Sequence, residues 1–149
     1  MINRLVSMPN LHFDIRPENP DPADRDRLLA ALDADNERVT GGREGSDFAV
    51  ILRSEPAGPC IGGLWAIDDY GWAFITYLFV PAGHRNEGLG RRLVAEAEAI
   101  ARARGMAGVW LNTFDFQARG FYEKLGYNLF GELPAGRSAR GQYFLRKVY

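Results

Sequence analysis

The sequence predicts a mixed α/β fold, with a central, mostly antiparallel sheet of about seven strands flanked by helices. Short apolar runs bounded by glycine, proline, asparagine or aspartate recur along the chain, which is typical of strands. Other stretches repeat apolar residues at spacings of three and four, which is typical of one helix face. A strand, a helix and three successive strands precede alternating strands and helices. With 149 residues, we expect a single domain over residues 1–149.

The first half of the chain begins with residues 1–10, which we predict to be a loose N-terminal segment. His12–Arg16 alternates polar and apolar residues, as a strand does. Asp21 can cap a helix that has Pro22 in its first position and ends at Gly41-Gly42. The partly apolar face of that helix consists of Leu28, Leu29, Leu32 and Val39. Two strands joined by a hairpin-like turn follow, over Phe48–Leu52 and Cys60–Ile67.

The second half opens with the run Trp72–Val80, which is apolar at odd and even positions and therefore predicts a strand covered on both faces. A helix is predicted over Leu89–Arg104, before Gly105. Its apolar face comprises Leu89, Leu93, Ala97, Ile100 and Ala101. Asp115 can cap a second helix that runs through Lys124. The remaining predicted strands are Val109–Leu111, Tyr127–Leu133 and Gln142–Val148.

Composition excludes several classes of function. The net charge of −1 and the isoelectric point near 6.1 provide no overall positive field, so nucleic acid is a disfavoured partner. Cys60 is the sole cysteine and His12 and His84 are the two histidines, so we expect no metal site built from several thiolates or imidazoles. The longest apolar run, Trp72–Val80, is too short to span a bilayer. We therefore expect no membrane association and a cytoplasmic location.

The most informative motif is the glycine-containing loop His84–Gly90, which joins a predicted strand to a predicted helix. A helix start offers free N–H donors and partial positive charge, and Gly88 and Gly90 have no side chains to hold a ligand away. The positive charges of Arg91 and Arg92 are unfavourable at a helix N-terminus, so their position is better explained if an anion binds there. The alternative is a loop that needs glycine only for a tight turn. The pattern is neither the Gly-x-Gly-x-x-Gly dinucleotide fingerprint nor the phosphate loop of nucleotide triphosphatases.

Two motifs resemble those of the GCN5-related N-acetyltransferase (GNAT) superfamily. The stretch Val80 to Gly90 is similar to the coenzyme A pyrophosphate loop of that family, Arg/Gln-x-x-Gly-x-Gly/Ala after a strand. The stretch Asp115 to Tyr127 is similar to the second family signature, a short helix with Tyr-Glu-Lys-x-Gly-Phe/Tyr. Their order and their separation of about thirty residues make the combination specific. The resemblance implies a sheet splayed between its fourth and fifth strands, with the pantetheine arm of the co-substrate acetyl-coenzyme A lying in the opening.

The resemblance also implies roles for individual residues. Tyr122 matches the family tyrosine that stands near the cofactor sulfur and acts as general acid; a core tyrosine is the alternative. Asn86 stands where the family commonly has glycine, and asparagine tolerates a left-handed backbone. Asp115 stands where the family often has asparagine, so a plain helix cap is its alternative role. The positions implied to bind the cofactor are Leu78, Phe79, Val80, Arg85, Asn86, Glu87, Gly88, Leu89, Gly90, Arg91, Asp115 and Lys124.

The function that these features indicate is acetyl transfer from acetyl-coenzyme A to a primary amine of a small-molecule or amino-acid-like acceptor, by direct attack in a ternary complex. The alternatives are a non-catalytic acyl-coenzyme A sensing module and an acetyltransferase for a protein or aminoacyl-tRNA. Candidates for the base are Asp68, Asp69 and His84; the alternatives are an ordinary turn between strands for the two aspartates and a plain loop residue for His84. The acidic run Asp33–Glu37 either attracts a cationic acceptor or is a solvated helix face. Family members often dimerise, so a homodimer is a further expectation.

Overall fold

The computed structural model describes residues 4–8, 11–42 and 45–149, and the chain forms two compact units, residues 1–44 and 45–149. The single domain over residues 1–149 stays a prediction. In the first unit, β1 (Arg4–Met8) pairs antiparallel with β2 (Leu11–Ile15). The prediction of a loose segment is therefore wrong for residues 4–8, because their backbone groups pair with a neighbouring strand. The rest of that predicted segment lies outside the described residues.

Helix α1 (Pro22–Thr40) of the first unit begins and ends where the sequence predicts. The Asp21 carboxylate accepts a hydrogen bond from the backbone N–H of Ala23 at 2.9 Å, and Pro22 occupies the first turn. Gly41 adopts a left-handed conformation, with φ of 78°, and donates to the carbonyl of Glu37. No residue of α1 is buried. The exposed apolar side chains include Leu28, Leu29, Leu32 and Val39.

The second unit is built on a six-stranded sheet in the order β3-β4-β5-β6-β8-β7. Its neighbours are antiparallel except for β5 and β6, which confirms the mixed, mostly antiparallel sheet. It has one strand fewer than predicted because β2 pairs with β1 instead. The strands are β3 (Phe48–Arg53), β4 (Cys60–Asp69), β5 (Trp72–Phe79), β6 (Gly108–Phe114), β7 (Asn128–Leu133) and β8 (Gln142–Val148).

Helix α2 (Leu89–Ala103) packs one apolar face into the core of the second unit. The buried residues of α2 are Leu93, Val94, Ala97 and Ala101, three of which the predicted face contains. Leu64, Leu111 and Leu145 are buried in the same core from β4, β6 and β8. A third helix, α3 (Arg119–Lys124), follows β6. Within the described residues, no helix is long and apolar enough to span a membrane.

Strand β5 does not have both faces covered along its length, which corrects the sequence prediction. Ala73 and Ile75 are buried, but Tyr77 and Phe79 are 73% and 55% exposed. The second half of β5 also has an open edge, because among the described strands only β4 pairs with it there. The apolar run thus predicted the strand correctly, but the prediction that both faces are buried is wrong for its second half.

Strands β5 and β6 separate after three residue pairs, the last of which is Ile75 with Leu111. Beyond that pair β5 continues to Phe79 and β6 continues to Phe114, with no ladder between them. Because these are the fourth and fifth strands of the predicted sheet order, the expected splay is confirmed. The separation opens the sheet beside the start of α2.

Candidate functional site

A cleft of about 980 Å³ lies where β5 and β6 separate. Its walls come from the second half of β5, the loop before α2, the first turn of α2, the end of β6 and the helix α3. All of these elements belong to the second unit. The cleft therefore brings the two sequence motifs, which are about thirty residues apart, to one place.

The β5 wall presents main-chain groups that lack a strand partner. Thr76, Leu78, Phe79 and Val80 line the cleft, on the side where the β6 ladder has already ended. The β4–β5 register shifts near Trp65, and the Thr76 hydroxyl donates to the Trp65 carbonyl at 3.2 Å. Such a bulge bends a strand and turns its edge. The exposed edge of β5 can bond to an extended ligand as another strand would.

The loop between β5 and α2 has the backbone geometry of an anion site. Asn86 and Gly88 both have left-handed conformations, with φ of 65° and 77°. The first helical bond of α2 runs from the N–H of Arg92 to the carbonyl of Gly88. Within the described residues, the six backbone N–H groups from Asn86 to Arg91 have no protein acceptor. A row of free N–H groups at a helix start suits a phosphate.

Glycine is favoured at the two glycine positions of the loop for different physical reasons. A Cβ added at Gly88 would meet nothing within 4 Å, so the positive φ is what favours glycine there. A Cβ added at Gly90 would lie 3.2 Å from Cζ of Phe121, so glycine lets α3 approach the start of α2. The positive φ at Gly88 fits the tight-turn alternative, but a tight turn does not account for the N–H groups from Asn86 to Arg91 that have no acceptor within the described residues.

Three side chains near the loop are already engaged. Arg85 donates from Nε to the carbonyl of Val80 at 3.2 Å, which ties the loop to the end of β5. Nδ1 of His84 lies 3.6 Å from a carboxylate oxygen of Glu87. His84 lines the cleft but Glu87 does not. Arg85 is thus a structural brace that also lines the cleft.

Tyr122 lies on α3 and lines the cleft. It is 8% exposed, and the rings of Phe121 and Tyr127 contact it edge-on at centroid distances of 5.0 and 5.8 Å. Burial raises the pKa of Tyr122 to about 12. Within the described residues its hydroxyl makes no hydrogen bond. The hydroxyl is therefore a protonated donor at neutral pH that is available to a ligand.

The helix that carries Tyr122 begins later than the sequence predicts. α3 starts at Arg119, its N-cap is Ala118, and no side chain caps it. Asp115 is not its cap, because the carboxylate accepts instead from the N–H of Gly141 at 3.2 Å and pairs with Arg140 at 3.1 Å. Those partners are about twenty-five residues away in sequence. Asp115 does not line the cleft.

Most of the predicted site residues meet at the cleft. The residues that line it are Tyr122, Leu78, Phe79, Val80, Arg85, Asn86, Gly88, Leu89, Gly90, Arg91 and Lys124. Glu87 and Asp115 do not line it. Thr76, Asn112 and Gln117 also line it, and the sequence did not single them out. Gln117 accepts hydrogen bonds from the Phe114 N–H at 2.9 Å and from the Thr113 hydroxyl at 3.2 Å, which fixes the turn before α3.

The candidates for the base are distributed unevenly. His84 lines the cleft, whereas Asp68 and Asp69 do not. The Asp68 carboxylate accepts from the N–H of Gly71 at 2.9 Å, as in the turn that was the alternative. Among the described residues, no three His, Cys, Asp or Glu side chains are arranged to hold a metal ion.

Comparison with known proteins gives consistent matches. The profile of the acetyltransferase (GNAT) family matches residues 8–127. The chain is 30% identical to an acetyltransferase of Agrobacterium fabrum over 136 residues, which are 91% of this chain and 96% of that protein. It is 45% identical to the blasticidin-S acetyltransferase of Streptomyces morookaense over 78 residues, which are 52% of this chain and 57% of that protein. The chain thus matches just over half the length of the second relative.

Solved structures have the same fold. A crystal structure of an Agrobacterium tumefaciens protein superposes with a TM-score of 0.82 at 27% identity, covering 91% of this chain and 98% of that chain. An aminoglycoside 6'-N-acetyltransferase complexed with coenzyme A superposes with a TM-score of 0.60 at 23% identity, covering 85% of this chain and 87% of that chain.

Proposed function

Because the chain belongs to the GNAT family of acetyltransferases, we propose that it transfers an acetyl group from acetyl-coenzyme A to a primary amine of a small-molecule or amino-acid-like acceptor. The observation that carries this proposal is one cleft with free N–H groups at one end and the Tyr122 hydroxyl in its wall. The amine attacks directly, with both substrates bound.

The loop end of the cleft suits the diphosphate of coenzyme A. Among the described residues, the six N–H groups from Asn86 to Arg91 have no protein acceptor, so they can satisfy several phosphate oxygens at once. Each hydrogen bond to a charged group contributes about 1.5–3 kcal/mol. Arg91 and Lys124 also line the cleft and add positive charge. The complex of a structural neighbour with coenzyme A supports the same ligand.

The β5 edge suits the pantetheine arm, which carries amide groups. The main chain of Leu78 to Val80 faces the gap left by β6, so it can donate to and accept from those amides. The Val80 carbonyl already accepts from Arg85, which leaves one lone pair of that oxygen and the N–H group for a ligand. With the diphosphate at the loop and the pantetheine arm along β5, the thioester at the end of that arm lies near Tyr122.

Tyr122 supplies the acid. In the reaction the amine nitrogen forms a bond to the acetyl carbon, the carbon–sulfur bond breaks, the nitrogen loses a proton to solvent, and the thiolate takes a proton from Tyr122, which solvent then reprotonates. With a pKa raised to about 12, the phenol stays protonated throughout neutral pH. Burial in the same cleft also disfavours the charged thiolate and so raises the pKa of the coenzyme A thiol. The pKa of the proton acceptor therefore rises together with that of the Tyr122 hydroxyl.

The acceptor is proposed to be a small molecule because relatives and neighbours are named for such acceptors, including blasticidin-S and aminoglycosides. A net charge of −1 also disfavours a transfer RNA. A single domain, a cytoplasmic location and a homodimer remain parts of this proposal.

The test is a panel of amines incubated with acetyl-coenzyme A and the full chain, with release of free thiol as the readout. The panel contains blasticidin S, an aminoglycoside, a polyamine, free amino acids and a peptide with a free N-terminus. An enzyme gives thiol release that depends on the added amine, and mass spectrometry detects the amide. Coenzyme A binding without amine-dependent release in the whole panel contradicts the catalytic proposal and supports the sensing module.

A further inference from the structure

An ion pair outside the cleft holds the helix that carries Tyr122. Nζ of Lys147 on β8 donates to both carboxylate oxygens of Glu98 on α2, at 3.0 and 2.9 Å, and to the carbonyl of Leu125 at 3.0 Å. The side chains of Lys147 and Glu98 are 28% and 14% exposed. Neither residue lines the cleft. All three donor positions of the ammonium group are therefore used, and one of them reaches α3.

Leu125 is the C-cap residue of α3, directly after Lys124. The helix has six residues, too few for its own hydrogen bonds to fix its position. The N–H groups of Leu125 and Tyr127 both donate to the carbonyl of Tyr122, at 2.9 and 3.1 Å. Lys147 thus contacts the turn that these two hydrogen bonds to the Tyr122 carbonyl form. A cation at a helix C-terminus is also electrostatically favourable.

Tyr127 provides a second route from the ion pair to Tyr122. Its ring contacts the Tyr122 ring edge-on, and Nζ of Lys147 lies 5.7 Å from the centroid of the Tyr127 ring. Tyr127 is 2% exposed, so its ring has little freedom to move. The wall behind Tyr122 is consequently in contact with the ion pair.

We propose that Lys147 and Glu98 are positioning residues that set the place of the Tyr122 hydroxyl in the cleft. This inference rests on the proposed function, in which Tyr122 acts as the acid. Removing the ammonium group leaves the mostly buried Glu98 carboxylate without its cation and the carbonyl of Leu125 without that donor. The end of α3 then moves, and a displacement of about 1 Å at a reacting group costs up to about 100-fold in rate.

The experiment measures kcat and both KM values for the parent, Lys147→Met, Tyr122→Phe and the double variant. We expect Lys147→Met to lower kcat about tenfold, with the KM for acetyl-coenzyme A changed less than about threefold. In the Tyr122→Phe background the same substitution has no further effect on kcat, because the hydroxyl to be positioned is absent. Lys147→Arg keeps a cationic donor and restores most of the rate.

The matched control is Arg146→Met, the neighbouring cation on β8, whose guanidinium lies over the Phe130 ring. We expect it to leave kcat unchanged. Glu98→Gln keeps the shape and one acceptor, and it replaces Lys147→Met in the cycle if that variant does not fold.

Equal losses of kcat in both backgrounds overturn the positioning role while Tyr122 stays the acid. A parent-like kcat for Tyr122→Phe overturns both claims. If no amine in the panel is turned over, fluorotyrosine NMR of the coenzyme A complex gives the answer. A Tyr122 resonance that shifts in Lys147→Met but not in Arg146→Met supports the inference, and an unshifted resonance overturns it.

Discussion

Replacement of the Tyr122 hydroxyl by hydrogen separates catalysis from folding. In Tyr122→Phe the ring keeps its edge-on contacts with Phe121 and Tyr127. Within the described residues no hydrogen bond is lost, because the hydroxyl makes none. The free energy of unfolding at neutral pH therefore changes by less than about 1 kcal/mol.

The effect on rate follows from the role of the acid. Positioned acids contribute about 10²–10⁴ in rate, and a thiolate is a good leaving group, so the lower limit applies. We expect kcat to fall about 100-fold, which is about 2.7 kcal/mol of barrier. The free N–H groups of the loop from Asn86 to Arg91 are untouched, so the Kd for coenzyme A stays within about twofold of the parent.

Three measurements on purified protein test this expectation: thiol release with the best amine of the panel, calorimetric titration with coenzyme A, and thermal unfolding. Tyr127→Phe is the matched control, since it removes the same atom from a buried ring that does not line the cleft. It should retain the parent kcat. A Tyr122→Phe variant with the parent kcat would remove Tyr122 from the mechanism, and a loss in both variants would indicate disturbed packing.

Three further predictions concern pH, the loop and Asp115. The unfolded chain releases the Tyr122 proton near pH 10 and the folded chain near pH 12, so this stabilisation is complete below pH 10 and is lost as pH rises through 12. Denaturant unfolding at pH 9 and pH 11 should show the parent losing about 1.3 kcal/mol more stability than Tyr122→Phe; an equal loss contradicts the burial argument. Gly88→Ala puts a side chain at φ of 77°, which costs about 1–2 kcal/mol and turns the following N–H groups; coenzyme A titration should show at least about tenfold weaker binding. Asp115→Ala should leave coenzyme A affinity within about twofold, because its carboxylate bonds to Gly141 rather than facing the cleft; a larger loss in the same titration would place it at the ligand.

The sequence located most elements because their signals are local. A cap, a proline and a left-handed glycine define both ends of α1 within adjacent residues. Asn86 adopts the left-handed backbone that its residue type allows, as predicted. Strand β1 was missed because a five-residue run becomes a strand only when a partner lies beside it.

The residues of the candidate site also fall into those that a local sequence pattern identified and those that only the structure identified. Sequence spacing identified the loop Asn86–Gly90 and Tyr122, and the structure brings both to one cleft. Thr76 and Gln117 line the same cleft, but their places depend on a β-bulge and on a turn. Neither residue has a local pattern that marks it.

By itself, the sequence determined both ends of α1, the start of α2 at Leu89, the left-handed backbone at Asn86, and which family the motifs resemble. Those properties depend on residues within a few positions of one another. Tertiary structure decided that β5 and β6 part after Ile75, that Asp115 bonds to Gly141 rather than capping α3, and that Lys147 reaches the end of that helix. These contacts join residues more than twenty positions apart, and their formation depends on how the strands are ordered in the sheet rather than on any local pattern.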